Sequence, residues 1–264
     1  MTATDVESAP AAVGGHWSRT KNVGLLRLTL VELRKLADTR SGLWLLIVIA
    51  LGAVGTSAVI LGFAPADEMT FQGLFAFGLV PSGVLLPVLG ILSMTSEWSQ
   101  RTALTTFTLV PARGRVIVAK LAAGVLIAIA ATAVTLALSA AANLLGLALG
   151  GDGSWHLAGA LIGQAVLFEV IFVLMGLGFG ALLLNSPLAI VLYFAIPTLW
   201  SILGETIKPL HTAAGWLDLN QTSAPLSEVG MTAGDYGRLG VSVALWVAVP
   251  LILGTARVLR REVS

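Results

Sequence analysis

"SEWSQRTALTTFTLVPARGRVIVAKL", residues Ser96–Leu121, decides how this chain is read. It holds one acid (Glu97), three arginines, one lysine and four threonines, while the chain on both sides is almost uncharged for more than twenty residues. A polar, cationic, Thr-rich segment between two apolar ones belongs at a boundary between water and lipid. The flanks must then cross the lipid, so the rest of the chain is tested against a bilayer.

Of the 264 residues 56% are hydrophobic and 11% charged; the mean hydropathy is +0.92. Soluble domains are about a quarter charged, so the deficit places the chain in the membrane class. With no cysteine, disulfides, thiolate metal sites and cysteine nucleophiles are excluded. A net charge of +1 gives no reason to expect nucleic acid as a partner.

A bilayer core about 30 Å thick needs roughly 20 apolar residues per spanning helix. Six segments qualify, at about 43–63, 71–94, 121–149, 157–184, 187–203 and 239–256. Pro81, Pro87, Pro197 and Pro250 fall within them; a bundle tolerates these because neighbours satisfy the freed carbonyls. The expected fold is an all-α transmembrane domain over residues 23–264, preceded by a disordered tail over 1–22. That tail carries Asp5 and Glu7 where a signal peptide would be basic.

Lysine and arginine set the orientation. With both termini on one side, that side holds Arg19, Lys21, Arg27, Arg34, Lys35, Arg40, Arg101, Arg113, Arg115, Lys120, Arg257, Arg260 and Arg261. The other side holds Lys208 and Arg238. Both termini and the opening stretch of this multi-pass protein are therefore expected in the cytoplasm.

Before the first span, "VGLLRLTLVELRKLADTR" places Arg27, Arg34, Lys35 and Asp38 on one helical face and leucines over the rest. This predicts an amphipathic helix over about 23–40, lying in the bilayer interface. Glu32 falls in the apolar arc and needs a partner. Either it reaches water or is protonated, or it pairs with an arginine of the opening stretch.

The opening stretch itself reads as a helix from Ser96 to Val110. Ser96 or Ser99 is its N-cap, Glu97 lies in the first turn, and Pro111 ends it. Lys120 is expected to snorkel from the third span to the interface. The segment is either a loop that sets topology or a docking helix; its length and order favour docking.

The order Glu97, Thr102, Thr105–Thr106, Pro111, Arg113, Lys120 resembles the run after the second span in the type-2 ABC-transporter permease family. "VELRKLADTRSGLW" before the first span resembles that family's N-terminal connecting helix. The resemblance covers nearly the whole chain. It implies the membrane subunit of an ATP-driven exporter, paired with a second copy or a similar chain. A separate cytoplasmic ATPase subunit would bind ATP and Mg, and this chain would bind no cofactor. It further implies a coupling region at Glu97, Arg101, Thr105, Thr106 and Arg113, fixed by ion pairs that include Glu32. A re-entrant hairpin is implied on the outer side between spans five and six. Spans one, two and five are implied to line a central cavity, bringing in Phe75, Phe77, Phe194 and Trp200. The cargo is expected to be amphipathic: a drug, an antimicrobial peptide or a lipid.

No phosphate-cradling G-x-x-x-x-G-K-[ST] run occurs, nor H-E-x-x-H or G-x-S-x-G, so no catalytic site is expected in this chain. His16, His156 and His211 fall in a tail and two loops, a poor basis for a metal site. Glu169 is the acid placed well inside a span, about 18 Å along its helix. At that depth a carboxyl is expensive. It is a structural contact, part of a path for cationic cargo, or a proton carrier. Asn143 in span three is a possible partner; Gln164 is not on the same face. The small-residue pairs Gly159/Gly163 and Gly176/Gly180 permit close helix approach. Two rival functions stand beside the exporter: an ion-coupled secondary carrier using Glu169, and a non-transporting membrane anchor or immunity protein.

Overall fold

A computed structural model describes residues 24–100 and 112–260. The expected tail over 1–22, and Arg101, Thr105, Thr106 and Pro111 of the opening stretch, lie outside the described residues. Every regular element among the described residues is a helix. They are α1 (Leu25–Asp38), α2 (Arg40–Phe63), α3 (Phe71–Gly78), α4 (Val80–Ser99), α5 (Arg113–Ala148), α6 (Gly159–Leu183) and α7 (Ser186–Thr206). Four short pieces follow: a 3-10 turn at Lys208–Leu210, α8 (His211–Leu217), α9 (Leu219–Ser223) and a 3-10 turn at Ala224–Ser227. The last helix is α10 (Ala233–Val243), a π-helical turn (Ala244–Ala248) and α11 (Val249–Arg260).

Among the described residues six helices are long and apolar enough to cross a membrane: Arg40–Phe63, Phe71–Ser99, Arg113–Ala148, Gly159–Leu183, Ser186–Thr206 and Ala233–Arg260. This is the architecture of a multi-pass membrane protein. All but the fourth extend past their expected limits, because hydropathy marks only the lipid-facing middle while helix propensity continues through polar ends. The largest extensions are at the opening stretch. α4 runs unbroken to Ser99, and α5 begins at Arg113 rather than near Leu121. Ser96 is therefore not an N-cap; its hydroxyl bonds back to the Ser93 carbonyl within α4. Glu97 correspondingly sits in a last turn, not a first.

Local chemistry starts the helices. Thr39, Thr70 and Asn185 accept side-chain caps from Gly42, Gly73 and Leu188. Thr232 and Asp235 form a reciprocal capping box at α10.

α6 is the hub. It packs against α4, α5, α7 and α11 and buries residues all round, including Gln164 and Glu169. Small residues permit this. A Cβ on Gly176 would stand 2.2 Å from the Pro87 carbonyl oxygen, and one on Gly180 3.0 Å from that of Ile91. Gly159 and Gly163 have nothing within 4 Å, so that pair does not form a helix contact among the described residues.

Hydrogen bonds tie the two ends of the bundle separately. At one end Thr95 and Ser99 of α4 meet Ser186 at the start of α7. Arg257 of α11 donates to the Leu182 carbonyl at the end of α6. At the other end Phe71 donates to Ser154 and Asp152 to Ala66, joining the α2–α3 and α5–α6 connections. Asn143 donates to the Gly153 and Ser154 carbonyls there, so its neighbour is a loop and not Glu169. Trp246, in the π-turn, donates to the Leu217 carbonyl and holds α8 to the last span.

Candidate functional site

α1 lies across the start of α5 and the end of α4. Its buried face carries Leu28, Thr29, Glu32 and Leu36, while Arg27, Arg34 and Asp38 are exposed. Glu32 thus points into the protein from an otherwise apolar arc, and the partners it meets are lysines. Lys120 Nζ of α5 stands 2.6 Å from Glu32 Oε2, and Lys35 Nζ, one turn on, 2.8 Å from Oε1. Glu97 of α4 closes the group, with Oε1 at 3.0 Å from Lys35 and 3.3 Å from Lys120. Lys120 also donates to the Ser93 carbonyl at 2.9 Å.

Two acids and two bases from three helices therefore make one neutral cluster. Lys120 is 2% exposed, Glu32 4% and Glu97 5%. Lys120 does not snorkel to the interface, because two carboxylates and a carbonyl hold it inside. Burial pushes the Glu32 carboxyl up, but the charges and hydrogen bonds of Lys120 and Lys35 outweigh it and hold the group below its ordinary value of 4.5. Burial likewise opposes the charge on Lys35, and Glu32 and then Glu97 overcome it, so this amine sits above 10.5. A cavity of about 450 Å³ opens beside the cluster, bordered by Ser99, Gln100 and Ser186.

Such a cluster adds little net stability over an apolar replacement, since each ion is desolvated. Breaking it is another matter, because one removal leaves a buried charge unpaired. The arrangement therefore fixes α1, α4 and α5 to one another at the point where the segment 101–111 departs. Arg113 stands in the first turn of α5, with Nη1 3.4 Å from the Val258 carbonyl near the end of α11.

A second group lies within the spans. Glu169 of α6 is fully buried, and Ser82 of α4 donates to its Oε1 at 2.5 Å. Its Oε2 has no hydrogen-bond partner among the described residues. Beside it is a cavity of about 470 Å³ between α3, α4, α6, α7 and α9. Phe75 and Phe194 line it. Phe77 does not; it is 57% exposed and faces a hollow near Gly52 and Phe63. Trp200 is not among the lining residues; it packs on the apolar cluster of Tyr193, Leu219 and Trp246, which shares Tyr193 and Leu219 with the cavity wall.

Sequence reasoning singled out Glu32, Glu97 and Glu169. It missed Lys35 as a partner of both acids, and Ser82. Lys35 could have been found: it stands one helical turn from Glu32, the spacing of a helix ion pair. The pairing of Ser82 with Glu169 had no sequence signal. No protein-family model matches the chain, and no curated protein matches it.

Proposed function

We propose that this chain is the membrane-spanning permease subunit of an ATP-driven ABC exporter. It works as a homodimer, or with a similar permease, on two copies of a separate cytoplasmic ATPase that holds ATP and Mg. The cargo is an amphipathic drug, peptide or lipid. The observation that carries this reading is the buried Glu32–Lys35–Glu97–Lys120 cluster. A partner pressing on α1 or on the segment 101–111 pushes on two spans at once, because the cluster resists separation of the three helices. A loop that only set topology would require exposed cations and no such lock. The reading places the basic end of the bundle in the cytoplasm.

The test is reconstitution with a co-expressed ATPase from the same gene neighbourhood. Arg113→Ala is expected to retain ATP hydrolysis and membrane yield while losing most transport. An equal loss of yield and hydrolysis would count against a coupling role.

One observation favours a second reading. Glu169 presents a buried, unpartnered carboxylate oxygen at mid-span, as an ion-coupled carrier requires. That reading predicts transport abolished by an uncoupler at constant ATP, whereas the exporter continues. A non-transporting anchor would show neither turnover.

A further inference from the structure

The cavity between α3, α4, α6, α7 and α9 has an aromatic side, and Gln72, Thr198, Asn220, Ser223 and Ser227 supply polar groups elsewhere in its wall. Phe75, Phe168, Phe172, Tyr193 and Phe194 all contribute to the aromatic side. The rings pack closely: Phe168 and Phe172 at 4.5 Å, and Tyr193 and Phe194 edge to face at 4.9 Å. Among the described residues no lysine or arginine lines the cavity. Its volume of about 470 Å³ suits a small organic ligand.

Three acceptors stand behind this wall, and one buried donor, Trp200 Nε1, packs on the apolar cluster that shares Tyr193 and Leu219 with it. Gln164 Oε1, Glu169 Oε2 and Asp218 Oδ2 are buried without hydrogen-bond partners among the described residues. Each belongs to a residue next in the chain to one that lines the cavity: Ala165, Phe168 and Leu219. Glu169's other oxygen is held by Ser82, itself beside the lining Gly83. Tyr193 is within electrostatic reach of Glu169. Buried acceptors without donors are costly. Two carboxyl groups and an amide oxygen thus stand one residue behind the lining, and no lysine or arginine among the described residues lines the cavity to balance them. The faces of the rings add a further attraction for positive charge.

We infer that this cavity binds a lipophilic organic cation: an aromatic or alkyl body carrying one positive nitrogen. The rings take the body, and Glu169, supported by Asp218, takes the charge. That the cation is cargo rests on the exporter reading; that it binds does not. The lining residues named all come from this one chain.

The experiment uses the full chain in lipid nanodiscs without any ATPase, titrated with ethidium and with neutral 1-N-phenylnaphthylamine, empty discs being subtracted. Ethidium should bind saturably and more tightly than the neutral probe. Glu169→Gln should weaken ethidium about tenfold or more, the scale of one charge-assisted contact, with the neutral probe within about twofold. Ala76→Phe, which fills the cavity from its exposed rim, should weaken both probes. Should Glu169→Gln fail to fold, Asp218→Asn keeps the oxygen that caps α9 and should weaken ethidium selectively. Equal affinity of ethidium for wild type and a well-folded charge variant would overturn the proposal. So would neutral-probe binding as tight as ethidium's, or no saturable binding at all. Failure here leaves the exporter reading standing, and failure of ATPase coupling leaves this binding intact.

Discussion

Lys120 is the residue on which most depends. It is buried at the head of a long apolar helix and touches two carboxylates from two other helices. Glu32→Ala removes its closest partner and leaves the ammonium half-compensated. We expect a loss of about 3–5 kcal/mol, read as a fall in melting temperature of the detergent-solubilised protein. Combining Glu32→Gln with Lys120→Met replaces the pair by groups of similar shape and should recover part of that loss. A double variant as unstable as the sum of the singles would show that the two residues do not act together.

The same residues set a pH window. Glu32 sits below 4.5 in the folded protein, so the stability it brings is present above its unfolded value and fades as pH falls through the folded one. Lys35 sits above 10.5, so its contribution is present below that value and is lost as pH rises through the folded one. The melting-temperature difference between wild type and Glu32→Gln should hold steady near neutrality and shrink as pH falls below 4.5. A difference that grew on acidification would contradict the assignment.

Among elements, the contact between α4 and α6 carries the bundle, and Gly176 sets its closeness. A methyl there would meet the Pro87 backbone at 2.2 Å, and backbone does not yield as a flexible side chain does. Gly176→Ala should cost about 1–3 kcal/mol through overpacking. Gly163→Ala, on the same helix with open space around it, should be neutral or slightly stabilising. Equal effects in a thermal-shift comparison would mean the close approach is not real.

The six spans were legible because an apolar run of bilayer length is a strong signal, and their order follows from it. The end of α4 was misread as a new helix because Ser96 and Glu97 have the composition of a helix start. Only the continuous backbone to Ser99 excludes that. Glu32 was marked as needing a partner by its place in an apolar arc, yet an arginine was expected. Lys120, assigned to the lipid interface, proved to be the partner. Sequence spacing gives the face of a helix but not the neighbour facing it. For the same reason Phe75 and Phe77 looked alike in sequence, while one lines a cavity and the other is exposed.

At the scale of the whole molecule, basic residues gather at one end. Arg27, Arg34, Lys35, Arg40, Arg113, Arg115, Lys120, Arg257 and Arg260 belong to elements joined there, while Lys208 and Arg238 belong to the opposite end. On the proposed reading the basic end meets the ATPase. The aromatic cavity, near the short helices α8 and α9, lies toward the other end. On that reading, force applied at Glu97 would pass to the cavity along α4, whose Gly83 lines it and whose Ser82 holds Glu169. The charge cluster and the cavity are thus two stations on one helix.

The chain contains no cysteine, which permits a direct test of that contact. A single cysteine replaces Gln100, exposed at the end of α4, and carries a benzophenone photocrosslinker. Asp67, exposed in the α2–α3 connection at the opposite end, gives the control position. Each variant is co-expressed with the neighbouring ATPase and irradiated with and without ATP. The account predicts a crosslinked product from position 100 whose yield changes with ATP, and none from position 67. An ATPase that folds and hydrolyses ATP yet crosslinks at neither position, or at both alike, would contradict it.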